Sequence, residues 1–366
     1  MTRVIGIDPG TVSFDLLGLE DGSVFLDCTI PSSELAADPQ ELVNILNEAR
    51  PLDLVIGPSG YGLPWVTIEE FSEREQFLFV LADERERNHV SVLGGMGEMI
   101  DCLKATDLPV IFMPGVIHLP TVPTYRKANK IDMGTADKLC CAALGIYDQA
   151  RRYNIPYRET SCIFVEIGGA YTAVLAVQNG CVVDGLGGSS GAPGYYALGA
   201  MDGELAYLLG EFPKSLLFSG GVAFISHRPS LPPEDSLSLR TDEETVAGAW
   251  EALLEGVVKS VAAELTIVPD AREILLSGRL CRDETLLADL SGRLQKFGPV
   301  RRVSGFATVA KEAAQGAALL ADGMAGGQHA DLVETMQLRQ ARGTVLDYIY
   351  VDGAGQLKNK YLRSRS

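Results

Sequence analysis

Two stretches of the chain end an apolar run in a carboxylate and then an open glycine turn: Ile7-Asp8-Pro9-Gly10-Thr11 and Val165-Glu166-Ile167-Gly168-Gly169-Ala170-Tyr171-Thr172. Glycine admits positive φ and has no Cβ, so successive backbone N–H groups in such a turn can face an anion. A carboxylate beside a phosphate nest makes chemical sense when a cation lies between them, and Mg²⁺ is the natural one. Asp8 and Glu166 are therefore candidate metal carboxylates. Gly10, Thr11, Gly168, Gly169, Tyr171 and Thr172 are candidates for holding a polyphosphate. A third stretch, Ile274-Leu275-Leu276-Ser277-Gly278-Arg279, runs an apolar strand into a glycine turn ahead of a helix. Ser277 and Gly278 offer bare backbone to a nucleoside, and Arg279 can stack on a base or pair with a phosphate.

Other segments supply polar groups. Pro58-Ser59-Gly60-Tyr61-Gly62-Leu63-Pro64-Trp65 follows a strand, where ligand loops occur, so Ser59, Gly60 and Tyr61 are candidate substrate residues. Residues 125–138 concentrate four basic side chains in an acidic protein. There Arg126 and Lys130 are candidate donors to a phosphate or a substrate carboxylate, and Asp132 is a candidate base. The run 185–191 has four glycines in seven residues, and Gly187 and Gly188 can turn N–H groups toward a ligand. Phe218-Ser219-Gly220-Gly221 rivals residues 277–279 as the nucleoside turn, but the following VAFISHRPSLPP reads as non-helical.

These groups need elements to hold them. Residues 3–8, 14–20 and 23–28 read as strands, with a turn at Asp21-Gly22. A helix over 38–49, strands in LDLVIG and VIFMPG, and a helix over 136–153 follow. At residue 162 the pattern restarts as CIFVEIG, YTAVLAVQ and CVVDGLG, with a turn at Asn179-Gly180. One offset of 158 carries Asp8 onto Glu166, Gly10 onto Gly168 and Gly22 onto Gly180, which predicts a structural duplication. Helices over 242–266, 283–294 and 309–323, the strand REILLSG, a Pro-rich loop at 228–240 and a C-terminal strand TVLDYIYV complete the reading. The expected units are 1–157, 158–325 and a C-terminal extension, 326–366.

The chain has 366 residues and a formal net charge of −17, a balance that disfavours nucleic acid and anionic membranes as partners. Its seven cysteines form no C-x-x-C pair, as expected of reduced thiols in a cytoplasmic protein. No apolar run is long enough for a membrane span, and the N-terminus lacks a signal-peptide pattern.

The ordered set of hairpins and turns resembles the phosphate-1, phosphate-2 and adenosine motifs of the acetate and sugar kinase, Hsp70 and actin superfamily. EAAQGAALLA at 312–321 resembles the helix that closes its interdomain hinge. Two departures stand out: Glu166 replaces the usual aspartate of phosphate-2, and Ser277-Gly278 replaces the usual glycine pair. With DGLGGSSG at 184–191 and AMDGE at 200–204, the chain also resembles a family described as predicted butyrate kinases. The resemblance implies an α/β fold of two duplicated ribonuclease-H-like domains. Each would have a mixed five-stranded sheet flanked by helices, with ATP and Mg²⁺ in the cleft between them. It implies a kinase whose acceptor is a short carboxylic acid, faced by Arg126 and Lys130. A hydroxyl acceptor with Asp132 as base, and an ATP-driven switch without an acceptor, are the alternatives. A homodimer is compatible with either.

Overall fold

The first two strands are near-continuous apolar runs buried along most of their length, the third is more exposed, and the chain folds them as a meander. In the computed structural model these are β1 (Arg3–Pro9), β2 (Ser13–Glu20) and β3 (Ser23–Pro31). The structure describes residues 1–10, 12–58, 60–82 and 91–362, with the side chains of 91–96 left aside. The β2–β3 turn has Asp21 at φ 46° and Gly22 at φ 76°. Both central residues are left-handed, the conformation that matches strand twist in a two-residue hairpin. β4 (Leu54–Ile56) lies parallel to β1, β6 (Val110–Phe112) parallel to β4, and β5 (Val66–Thr67) pairs antiparallel with β6. The sheet order is β3-β2-β1-β4-β6-β5, so the two-residue β5 makes a sixth strand where five were expected.

The second sheet repeats this plan. β7 (Cys162–Ile167), β8 (Thr172–Gln178) and β9 (Cys181–Leu186) form a meander, with β10 (Glu273–Ser277) and β11 (Val300–Arg302) added parallel to β7. The order is β11-β10-β7-β8-β9. Its hairpin turn has Asn179 at φ 53° and Gly180 at φ 73°, close to the values at Asp21 and Gly22. The offset read from the sequence is thus matched in backbone conformation.

Two helices join the halves. Ala136–Tyr153 and Glu312–Met324 cross at a glycine: a Cβ at Gly316 would lie 1.8 Å from the carbonyl oxygen of Cys140. The second helix also presses on β1, where a Cβ at Gly6 would lie 2.2 Å from the backbone nitrogen of Ala318. The first helix reaches the second sheet, with Gly145 against the ring of Phe164. Residues Val303 to Leu346 add side chains to the core under the first sheet, whereas Trp250 centres the core of the second.

Most expected elements form, including Ala136–Tyr153 at its expected limits, Glu244–Leu265 and Glu284–Leu294. Three differ. The helix expected over 38–49 forms as Gln40–Glu48, and an unexpected helix, Ser32–Ala37, precedes it across Asp38-Pro39. The turn at 218–221 is followed by one helical turn, Val222–Ile225. TVLDYIYV is not a strand: Asp347 accepts from the backbone N–H of Thr344 and from Lys358, which folds the segment into turns. All seven cysteines are free thiols. Among the described residues no helix is long and apolar enough to cross a membrane.

Gly316→Ala should lower the thermal midpoint, with a loss of ~1–3 kcal/mol from overpacking at the helix crossing. Gly248→Ala, on the exposed face of Glu244–Leu265 with no atom near its added Cβ, should raise it by up to ~1 kcal/mol. Both are read by calorimetry, and equal shifts of one sign would dissociate the crossing from stability.

Candidate functional site

The two meanders place their carboxylate–glycine turns across one cavity of about 640 Å³. Asp8 ends β1, where it stands opposite Asp15 of β2, and Glu166 stands near the end of β7. Gly10, Gly168, Gly169 and Tyr171 line the cavity beside them. The turn after β10 closes it. Gly278 has φ 97°, and a Cβ there would lie 2.4 Å from the carbonyl oxygen of Ile167, so this turn lies directly on the second hairpin. Arg279 extends into the cavity and donates to Glu234 at 2.8 Å.

Between the hairpins lies a charge cluster. Lys138, in the first turn of Ala136–Tyr153, reaches Asp137 at 2.7 Å and Glu166 at 2.9 Å. Burial works against its charge, but the two carboxylates outweigh it and hold the Lys138 pKa well above its ordinary value. Burial raises the Glu166 carboxyl, with Lys138 opposing. For Asp137 burial is outweighed by Lys138, and the pKa is lowered. Lys311 pairs with Asp15 at 2.7 Å and Arg282 with Glu312 at 3.4 Å.

Asp8 differs from its neighbours. Its carboxylate is buried and, among the described residues, has no ion-pair or side-chain hydrogen-bond partner. Burial first, and Asp137 second, raise its pKa to about 7. The cavity wall carries six carboxylates (Asp8, Asp137, Glu166, Glu234, Asp283, Glu312) against four cations (Lys138, Arg279, Arg282, Lys311). Such a surface receives a polyphosphate only with an added cation. The unpartnered Asp8 fits Mg²⁺, which binds through one or two carboxylates plus phosphate oxygens and water. Glu166 fits less well as a direct ligand because Lys138 already occupies it. Among the described residues no three His, Cys, Asp or Glu side chains gather as a metal cage.

A second cavity of about 170 Å³ adjoins the first, and Pro9, Asp137, Lys138 and Tyr171 line both. Its other walls are mostly apolar and include Phe79, Val80 and Phe218, with Gly60, Tyr61, Asp132, Gly188 and Lys214 also facing it. Asp132 is 6% exposed. Its Oδ1 accepts from Gly134 N at 3.0 Å, and its Oδ2 from Ser189 N at 3.0 Å and Ser189 Oγ at 3.3 Å. A Cβ at Gly187 would lie 1.8 Å from Asp132 Oδ1, so that glycine shapes the carboxylate's seat without lining either cavity.

Four expected site residues lie elsewhere. Arg126 donates to the carbonyl of Val183 at 2.8 Å and pairs with Asp184 at 3.6 Å, on β9 away from both cavities. Lys130 lies near the same Asp184 and lines neither cavity. Thr172 is buried, donating to the carbonyl of Ala192 at 2.9 Å. Ser277 is fully buried under the Gly278 turn, its hydroxyl without a partner. Thr11 and Ser59 fall outside the described residues. The rival turn sends Phe218 into the small cavity rather than the large one.

Sequence reading missed Lys138, Asp137, Lys311, Glu234 and Lys214. The available signal was the Asp137-Lys138 pair, charges set at the head of a helix that is otherwise buried. Lys311 and Glu234 gave none, since Lys311 meets Asp15 across 296 residues and Glu234 meets Arg279 across 45.

The chain is similar over most of its length to several solved kinases. The propionate kinase of Francisella tularensis subsp. tularensis SCHU S4 matches with a TM-score of 0.60 at 11% identity, over 87% of this chain and 98% of that one. The acetate kinase of Entamoeba histolytica matches with a TM-score of 0.58 at 11% identity, over 81% and 87%. The acetate kinase of Porphyromonas gingivalis matches with a TM-score of 0.56 at 12% identity, over 87% and 98%. No curated protein matches. The fold is thus that of these two-domain kinases, with the duplicated hairpins at corresponding places in its halves. The chain belongs to the family DUF1464, described as a protein of unknown function, whose model matches residues 6–351.

Asp8→Asn should stabilise the protein in chelator at pH 8 and change it little at pH 4. The folded state keeps the Asp8 proton up to about pH 7, whereas the unfolded chain loses it near 3.8. Wild-type stability therefore falls as pH rises across that window, by roughly 4 kcal/mol in all. Melting curves at pH 4, 6 and 8 check this, and a variant shift that does not grow with pH would contradict it. Lys138→Met should cost up to ~3 kcal/mol, because it leaves the buried Glu166 and the half-buried Asp137 without their cation.

Proposed function

We propose that this protein is an ATP- and magnesium-dependent phosphotransferase acting on a small molecule held in the second cavity. The observation that carries the reading is the confluence of the two cavities at Pro9, Asp137, Lys138 and Tyr171. A nucleotide switch needs the first chamber alone. A chamber for an acceptor, opening where the terminal phosphate would lie, serves transfer.

The hairpin turns at Gly10 and Gly168-Gly169 would cradle the phosphates from both sides, and Arg279 and Gly278 would flank the nucleoside. Asp8 would hold Mg²⁺ through its water shell, and the metal supplies charge neutralisation at the terminal phosphates when bound. Lys138 sits at the mouth between the chambers. It replaces Arg126 and Lys130 as the cation facing the transferring group. Its ion pairs to Asp137 and Glu166 fix the ammonium in place, so little reorganisation is needed as charge shifts during transfer.

A short carboxylic acid remains a reading for the acceptor. Lys214 favours it, since this cation faces the second chamber, its ammonium 4.7 Å from the centre of the Tyr61 ring. The units 1–157 and 158–325 would close on nucleotide by a hinge along the paired helices.

Val80→Phe should fill the small chamber. It should abolish phosphoryl transfer while leaving magnesium-dependent binding of a non-hydrolysable ATP analogue within about threefold by calorimetry. Asp8→Asn should do the reverse at the binding step, weakening nucleotide at least tenfold. Full ATP turnover by Val80→Phe would support a switch without an acceptor.

A further inference from the structure

The small chamber also constrains the chemistry of what it holds. Its volume of about 170 Å³ lies below the ~300–1,000 Å³ of ordinary ligand pockets. Phe79, Val80 and Phe218 make much of the wall apolar, and of its polar side chains Thr135, Asp137 and Lys138 are already bonded to one another, which leaves few groups for a polyhydroxylated ring. The occupant is therefore a molecule of a few carbons with one oxygen-bearing end.

That end meets Asp132, Tyr61 and Tyr171. An ionised carboxylate offers about four lone-pair positions. The fold fills three at Asp132, from Gly134 N, Ser189 N and Ser189 Oγ, and leaves one. Among the described residues neither the Tyr61 nor the Tyr171 hydroxyl has a hydrogen-bond partner, and both rings line the chamber. Burial first, and the Asp132 carboxylate next, raise both phenols, which places the two hydroxyls in the field of that carboxylate. Each stays a neutral donor. The Tyr171 ring is fixed by an edge contact with Phe218 at 5.4 Å and by Gly188, where a Cβ would lie 2.3 Å from its Cδ1.

One acceptor and two donors around a small space match a hydroxyl, which donates once and accepts twice. They match a carboxylate less well, because its negative charge would face the Asp132 carboxylate as well as the incoming phosphate. The two cations of the chamber are already engaged, Lys138 by Asp137 and Glu166, and Lys214 by the carbonyls of Val80 at 2.7 Å and Leu81 at 3.1 Å.

We propose that the acceptor is a small, largely apolar alcohol, with its hydroxyl donating to Asp132 and accepting from Tyr61 and Tyr171. This rests on the phosphotransferase reading and narrows it. In the step, the acceptor O–H bond breaks and its proton passes to the Asp132 carboxylate. The acceptor oxygen bonds to the γ-phosphorus as the bond from that phosphorus to the bridging oxygen breaks. The electron pair leaves on the terminal oxygen of ADP. The products are a phosphate monoester, ADP and protonated Asp132, which returns its proton to solvent on release.

The test incubates the full chain with ATP, Mg²⁺ and straight and branched alcohols of two to five carbons, each beside the acid of the same skeleton. Phosphorus NMR reads esters, and hydroxylamine trapping reads acyl phosphates. Esters from alcohols and no hydroxamate from acids are expected. Asp132→Asn should lower kcat at least ~100-fold with nucleotide affinity unchanged. Tyr61→Phe, which keeps the ring and the Asp132 bonds, should raise the alcohol KM about tenfold. Hydroxamate from acids without esters would overturn the proposal and leave the phosphotransferase reading standing. So would wild-type ester formation by folded Asp132→Asn and Tyr61→Phe. Tight magnesium-dependent nucleotide binding with neither product would instead remove the phosphotransferase reading, and this one with it.

Discussion

The buried ammonium of Lys138 is the point on which the site depends. It stands at the head of one helix, contacts Asp137 from the same turn and reaches Glu166 at the end of a strand in the other half. Removing it would leave the buried Glu166 carboxylate without its cation, which is why one lysine can tie the two halves together here. The arrangement also explains why Glu166 can be longer than the aspartate usual at phosphate-2. Its extra carbon lets the carboxylate meet an ammonium across the cleft rather than a metal beside the turn. Asp8, at the corresponding place in the first half, has no such partner and is left to the ligand side. The duplicated hairpins are therefore alike in backbone and divided in chemistry.

That division shows what could be read from the sequence. The three-strand meanders, their two-residue turns and the shared offset were legible because they rest on local rules: apolar runs and left-handed turns at Asp21-Gly22 and Asn179-Gly180. Gly10, Gly168, Gly169, Gly278 and Arg279 followed, because a glycine turn at a strand end has few places to be. Arg126 was misjudged because a cluster of basic residues says nothing about direction. Successive residues of a short helix point to different sides, and Arg126 was claimed by a backbone carbonyl and a carboxylate of β9. Lys127 likewise is buried against the carbonyl of Leu119 at 2.7 Å. Thr172 and Ser277 stand next to ligand-facing residues, and strand alternation turns them inward.

Charge over the cleft follows a single pattern. Lys138, Lys311, Arg279 and Arg282 each meet a carboxylate before any ligand arrives. A protein of net charge −17 thereby keeps a cationic surface without leaving bare cations to attract polyanions at large. The cost is that a triphosphate meets a wall with more carboxylates than cations. On the proposed reading this excess would favour a metal-bound nucleotide over other phosphates, since such a ligand brings its own cation.

The second chamber inverts these features. It is small, apolar and lined by two phenols and a carboxylate held by backbone N–H groups. Polar groups fixed by the fold cost little to orient when a substrate binds, and in an apolar surround each of their hydrogen bonds counts for more than in water. Its glycines have the same purpose. Gly187 and Gly188 let one loop lie against both Asp132 and Tyr171, so the same backbone sets the positions of a carboxylate and a phenol. A side chain at either position would displace one relative to the other. The Gly-rich run thus acts by close approach to protein groups rather than by wrapping a phosphate. This accounts for its place beside the acceptor chamber rather than in the nucleotide cavity, where Gly168, Gly169 and Gly278 already leave the backbone open.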